Sequence, residues 1–286
     1  MHSKINIIYA YNNFVDKKVI SFASDFGLGV GSVGIVKGVI NRIDPEIKII
    51  DISHSIKPQD IRGGSLLLMR AIQYIPEGIL LAVVDPGVGT DRKPVALETE
   101  WGCMIGPDNG LLNLAAATVG GVTRAFELTN KEWIIPSDGS TFEGRDKFGP
   151  FAAALATSSL RIEEVGNEVD IDLLNNLLIP LTELKDETIK GEVIWNDHYG
   201  NSQTNIVPSE LEALGFKFGS SINLKIGEDQ HIVQWHRNFQ ELGLGILGLI
   251  TDSWGMISIA IQNGNAVSSA HTHEGKEIIM TLDNST

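Results

Sequence analysis

The sequence predicts an α/β protein in two parts, an N-terminal Rossmann-like domain built on a mostly parallel sheet and a smaller C-terminal β-barrel domain. Three observations carry that prediction. Between Lys18 and Val84, strand-length apolar runs alternate with helix-length amphipathic stretches in the βαβ manner. Beyond Lys190 the helical stretches give way to short strands separated by Gly and Asn turns. Between the two, Pro180 and the charged run Thr182–Lys190 break the pattern. The expected division is an N-terminal extension over 1–18, the α/β domain over 19–180, a linker over 181–190 and the barrel domain over 191–286.

The first eighteen residues hold an apolar patch, Ile5–Tyr11, too short to span a membrane and lacking a small-residue cleavage site, which reads as an extra strand or loose arm. The α/β domain then opens with a strand over Val19–Phe22 and a helix over Ser32–Ile43. A strand over Ile47–Ile52 and a helix over Pro58–Tyr74 lead to Ile79–Val84, whose length and β-branched content suit an interior parallel strand. Short strands are expected at Val95–Glu98 and Cys103–Ile105. Helices follow at Leu111–Thr118 and Arg145–Ser158, with Pro150 in the first turns of the second, where proline is tolerated. In the C-terminal half, strands are expected at Gly191–Asn196, Ser221–Ile226, Ile232–Trp235, Ile246–Thr251 and Met256–Ile261. The tail from Ser268 is polar and expected to fray.

Composition narrows the function. The 286 residues are 43% hydrophobic and 20% charged, ordinary globular material. A formal net charge of −14 disfavours a nucleic-acid partner, which needs clustered Lys and Arg. It suits neutral or cationic small molecules. No apolar run reaches eighteen residues, so neither a membrane partner nor a membrane location is expected. The lone Cys103 excludes an internal disulfide and a cysteine-rich metal site, and suits a reducing cytoplasm.

The central stretch is Ala82–Arg92, where a buried strand ends in Asp85 and Pro86, Gly87 and Gly89 turn the chain back so that Arg92 approaches the carboxylate. At the carboxyl end of a parallel strand this is where α/β sheets bind ligands, and a guanidinium would hold the acid ionised and oriented. A structural ion pair closing the turn is the plain alternative. Gly29–Gly34 matches G-x-G-x-x-G, and Asp51 lies where a dinucleotide fold places its ribose-binding acid. Asp25, just after the first strand, argues against a pyrophosphate, which it would repel; a ribose diol on a phosphate-free molecule would accept it as a bidentate partner. The amide- and acid-rich loop Asn196–Asn205 reads either as a hairpin turn or as acceptors for an ammonium group or purine edge. In Ser140–Asp146, Glu143 precedes a helix, where capping by Thr141 or Glu143 is the simplest role.

In this order the clusters resemble the S-adenosylmethionine hydroxide adenosyltransferases, the family that also contains the S-adenosylmethionine-dependent fluorinase and chlorinase. The resemblance runs from Val19 to Val267 and rests on S-D-F-G, K-G-V-I, D-P-G-V-G-T-D-R, P-D-N-G-L-L, T-F-E-G-R-D and Y-G-N-S-Q-T-N-I. It implies a homotrimer with active sites between the large domain of one subunit and the barrel of the next. It also implies a hydrolase, without a separate cofactor or metal, that attacks C5′ of S-adenosylmethionine with water and releases adenosine and methionine. Carried onto this sequence, Asp25 would hold the ribose hydroxyls, and Asp85 with Arg92 would belong to the Asp-Arg-His set that handles water. Asp197 would meet the methionine amino group, Asn201 the adenine and Ser253 the methionine carboxylate; Ser32 and Tyr199 lie in the same substrate-binding motifs.

Three positions depart from the family pattern: Glu143 stands where the water-handling histidine is found, Val30 where an aspartate is usual, and Ser32 where the hydrolases often have tyrosine. Glu143 is expected to replace the histidine as a carboxylate base. Two alternatives stay open on the sequence: a halogenase of the same family, and a non-catalytic S-adenosylmethionine or adenosine binding protein. Carboxylates at Asp85 and Glu143 would repel a halide but accept a hydrogen bond from water, which favours hydrolysis.

Overall fold

The computed structural model describes residues 18–283. The apolar patch Ile5–Tyr11 lies outside them. The chain divides into two compact units after Leu177.

The first unit begins β1 (Val19–Ser24), α1 (Ser32–Ile43), β2 (Lys48–Ser53), α2 (Ile61–Ala71) and β3 (Ile79–Val83). It continues with β4 (Pro94–Glu98), β5 (Cys103–Pro107), α3 (Asn113–Thr118) and β6 (Arg124–Glu127). A π-helical turn over Gly144–Phe148, α4 (Gly149–Ala156) and the short β7 (Glu168–Val169) complete it. The sheet order is β2-β1-β3-β5-β4-β6-β7. β2, β1, β3 and β5 run parallel, while β4, β6 and β7 are added antiparallel.

Period-2 alternation along the buried strands divides the core between two faces. Ile20, Phe22, Leu81 and Val83 pack with Val36 and Ile40 of α1 and Phe151 of α4. Ala23, Leu80, Ala82 and Val84 pack with Leu68 of α2 and Ala115 of α3. Two differences from expectation have local causes. α2 starts at Ile61 because Asp60 caps it, its Oδ1 accepting the Gly63 N–H at 2.8 Å. The helix expected from Arg145 opens with the π turn before α4 continues it.

The second unit is a closed barrel of seven strands. Its elements are β8 (Glu183–Lys185), β9 (Thr188–Asn196), β10 (Ser202–Thr204), α5 (Pro208–Ala213), β11 (Ser221–Ile226) and β12 (Asp229–His236). β13 (Leu247–Thr251), β14 (Ile257–Ile261), α6 (Ala266–Ser269) and β15 (Glu277–Leu282) follow. The ring runs β10-β14-β13-β12-β11-β15-β9 and closes through the β9–β10 pair, with β8 alongside β9. Trp235, Phe216, Ile257 and Met280 are among its core residues.

Two expectations are corrected here. The stretch 181–190 is not a linker: β8 and the start of β9 form a hairpin whose two loop residues, Asp186 and Glu187, take φ of 47° and 63°. That is the type I′ geometry favoured by twisted hairpins, built without the Asn-Gly that signals it. Nor does the tail fray over its described residues, 268–283. β15 pairs with both β11 and β9 and buries Ile278 and Met280, so the barrel needs it to close. Among the described residues no helix is long and apolar enough to cross a membrane.

Candidate active site

In the first unit the chain moves from β1 to β2 on one side, then returns to β3 on the other. The loops leaving the carboxyl ends of β1 and β3 therefore diverge, the topology at which α/β sheets bind ligands. Asp25 and Asp85 stand on those two tips. The Asp25 N–H donates to the Val83 carbonyl at 3.3 Å, and Asn109 of the turn after β5 donates from Nδ2 to the Val84 carbonyl at 2.9 Å. Three adjacent strand tips are thereby fastened together.

The loop after β3 does what its sequence predicts. The Val88 N–H reaches the Asp85 carbonyl at 3.3 Å and Gly89 turns with φ 79°, bringing Arg92 back to the strand tip. Arg92 grips Asp85 with both arms, Nε donating to Oδ1 at 3.0 Å and Nη2 to Oδ2. The same Nη2 donates to Glu143 Oε2 at 2.7 Å, and Lys147 Nζ donates to Glu143 Oε1. The side chains of Arg92, Asp85 and Glu143 are 8, 6 and 9% exposed. One end of the guanidinium is left over: Arg92 Nη1 is buried and has no hydrogen-bond partner among the described residues. Such a donor costs free energy unless something else accepts from it.

Burial pushes the Asp85 carboxyl above the usual carboxylate range; the Arg92 charge and hydrogen bond oppose this, and the Glu143 charge adds to it. The guanidinium orients the acid as expected, but its pull does not prevail over desolvation. Glu143 precedes the π turn without capping it, since its side chain makes no cap hydrogen bond and turns to Arg92 and Lys147 instead. With a cation on each oxygen, it fixes Arg92 in place. Capping by Glu143 is inconsistent with this geometry.

Asp25 accepts the Gln59 N–H on Oδ2 at 2.8 Å, and Gln59 holds an uncommon φ of 66° to present it. Among the described residues nothing donates to Asp25 Oδ1. Phe26 meets Phe142 edge-on with ring centroids 5.7 Å apart, and a Cβ on Gly144 would approach Phe26 Cζ to 2.9 Å. Glycine there lets the Glu143 loop close on the Asp25 loop. Ser32 opens α1 behind Gly31, without a side-chain cap bond. Val30, in the glycine loop, is 74% exposed. Asp51, read as a candidate ribose acid, is instead bonded to Lys37 and His54.

In the second unit the predicted binding residues form two loops. Asp197 Oδ1 accepts the N–H groups of Tyr199 at 2.9 Å and Asn201 at 2.8 Å, and Oδ2 accepts Asn201 Nδ2 at 2.7 Å. The carboxylate thus shapes its own turn, and Gly200 is required in it: with φ 84°, a Cβ would come within 2.3 Å of Asn265. Tyr199 projects, 78% exposed. Asp252 plays the corresponding part for Ser253, accepting the N–H groups of Trp254 at 2.8 Å and Met256 at 3.1 Å, and Ser258 Oγ at 2.7 Å.

Sequence reasoning missed Lys147, Asn109 and the Phe26–Phe142 contact. Lys147 carried the i,i+4 spacing from Glu143, and Asn109, Phe26 and Phe142 lie in the family-like motifs without a role read for them. Cys103 sits in β5, where burial pushes its thiol up to about 12 and removes it as a nucleophile. Among the described residues no group of three or more His, Cys, Asp or Glu is placed to hold a metal ion.

Comparison with known proteins bears on both units. Residues 20–166 match the model of the SAM hydroxide adenosyltransferase N-terminal domain, and residues 191–279 that of the C-terminal domain. A (R)-S-adenosyl-L-methionine hydrolase of Salinispora tropica is 38% identical over 262 residues, covering 92% of this chain and 97% of that protein. One of Thermus thermophilus is 35% identical, covering 91% and 98%. A fluorinase of Nocardia brasiliensis is more distant, 28% identical with coverage of 73% and 78%. The crystal structure of an uncharacterized conserved protein from Thermotoga maritima superposes with a TM-score of 0.83 at 33% identity, covering 92% of this chain and 99% of that one.

Proposed function

The chain belongs to the SAM hydroxide adenosyltransferase family, and from that premise we propose that it hydrolyses S-adenosylmethionine to adenosine and L-methionine by attack of water on C5′. The observation that carries the reading is the buried Asp85–Arg92–Glu143 set with one guanidinium nitrogen to spare. A water beside Asp85 donates to the carboxylate that Arg92 holds in place, which fixes its lone pair for in-line attack. The oxygen–C5′ bond forms as the C5′–S bond breaks, sulfur keeps the electron pair and leaves as neutral thioether, and Asp85 takes the proton. A carboxyl raised by burial is a better match to that task than an exposed one. Glu143 and Lys147 hold Arg92 in register. Asp25 takes the ribose hydroxyls on the oxygen that Gln59 leaves open, and the acidic chain favours a sulfonium cation over an anion.

The barrel contributes its loop tips, with Tyr199, Asn201 and Ser253 on the adenine and methionine ends, and Asp197 as the brace of its loop. The functional unit is a homotrimer with shared sites, in the cytoplasm; light scattering should return three times the chain mass of 31.0 kDa, and a monomer that turns over at full rate contradicts it. The reaction itself is tested in ¹⁸O-enriched water containing chloride. Adenosine labelled at the 5′-oxygen supports hydrolysis. Formation of 5′-chloroadenosine points to the halogenase, and bound but unconverted S-adenosylmethionine to a binding protein.

A further inference from the structure

A second polar chain, buried at Ser24 and His54 and reaching the surface at Asp51, lies beside Asp25 and has no part in the chemistry above. Ser24, the last residue of β1, is fully buried, and its Oγ lies 2.7 Å from His54 Nδ1. His54 follows β2, its side chain 2% exposed, with Nε2 3.0 Å from Asp51 Oδ1. Lys37 of α1 donates to the other Asp51 oxygen. Burial raises the Asp51 carboxyl, but hydrogen bonds from Lys37 and His54 outweigh it and hold it below the usual range.

The direction of each bond follows. An ionised carboxylate only accepts, so His54 donates from Nε2 to Asp51, and in the tautomer with its single hydrogen there Nδ1 is an acceptor. In that tautomer the Ser24 hydroxyl donates to His54, and its oxygen accepts, at a long 3.4 Å, from the Phe26 N–H. The His54 carbonyl accepts the Gly27 N–H at 2.9 Å. The turn carrying Asp25 is thus anchored on both flanks to one histidine. Serine, histidine and aspartate in this order have the arrangement of a nucleophilic triad. A serine with no exposed surface cannot attack a substrate, so the arrangement is available for positioning only.

We propose that His54, through Ser24, is a positioning residue for Asp25, setting the height and direction at which its open oxygen meets the nucleoside of the substrate. The assignment rests on the adenosyl reading of the site and deepens it. Because Asp25 binds ground state and transition state alike, loosening it raises KM and leaves kcat nearly in place.

Two substitutions separate the two ends of the ring. Glutamine places an amide near Nε2 and keeps the bond to Asp51 while losing Ser24; asparagine places an oxygen near Nδ1 and keeps Ser24 while losing Asp51. Steady-state kinetics with S-adenosylmethionine, adenosine titration and thermal melting are measured on the full chain for Ser24→Ala, His54→Gln and His54→Asn. Ser24→Ala and His54→Gln should each raise KM and the adenosine Kd about tenfold, the loss of one buried hydrogen bond, with kcat falling by no more than about twofold. The Ser24→Ala/His54→Gln pair should be no worse than either alone, and His54→Asn should stay within about threefold of the natural protein. Unchanged KM in Ser24→Ala and His54→Gln, or equal losses in His54→Gln and His54→Asn, overturns the positioning role. A natural protein that neither binds adenosine nor converts S-adenosylmethionine overturns the reading beneath it.

Discussion

The α/β site and the barrel loops use the same residue type for opposite ends. In the first, Asp85 and Glu143 are buried and meet side-chain cations, and among the described residues the set retains an unpartnered donor at Arg92 Nη1. In the second, Asp197 and Asp252 accept the backbone N–H groups of their own turns. A carboxylate satisfied by its own loop defines a shape, whereas one desolvated beside a cation that still has a donor to give defines a reaction. Charge at a strand tip or in a loop is therefore no guide to role until its partners are known.

Exchanging acid for amide at each place sharpens that contrast. Asp85→Asn should cost the most, lowering kcat by roughly 10²–10⁴-fold, the usual contribution of a general base. With Asp85 acting on water as proposed, the adenosine Kd should stay near that of the natural protein. Asp197→Asn turns an acceptor into a donor facing Asn201 Nδ2, so it should cost about 1–3 kcal/mol of local stability. Faster hydrogen exchange at the Tyr199 and Asn201 amides would report it, with KM raised and kcat changed less than about tenfold. If Asp197→Asn instead lost kcat as Asp85→Asn does, the barrel carboxylate would belong to the chemistry and the contrast would be broken.

Much of this was legible beforehand, for physical reasons that also mark where legibility ends. β1, α1, β3 and β11 follow from apolar period and length, and the Asp85–Arg92 pair from the turn chemistry between them. β15 was hidden because a polar stretch precedes it and its inward Ile278 and Met280 gain meaning only once β9 and β11 flank them. The Asp186–Glu187 turn was hidden because tertiary pairing imposes positive φ on residues that do not advertise it. In the site, local spacing could place Arg92 on Asp85 but not on Glu143, 51 residues away. The Asp85 shift was misjudged for a related reason: the guanidinium is visible in the sequence, and the burial that outweighs it is not.

A moderate rate effect tests the account most directly. Glu143→Gln keeps a hydrogen bond to Arg92 and should slow turnover by only about tenfold, as a supporting group and not the base. Its decisive effect is on pH. Asp85 must be deprotonated to act, so activity is full above its pKa and lost as pH falls through it, and the charge on Glu143 is one of the causes raising that pKa. The account predicts that the acid limb of kcat/KM lies above the usual carboxylate range in the natural protein and moves to lower pH in Glu143→Gln. An acid limb that stays in place, or that disappears with Glu143, would contradict it and make Glu143 the base.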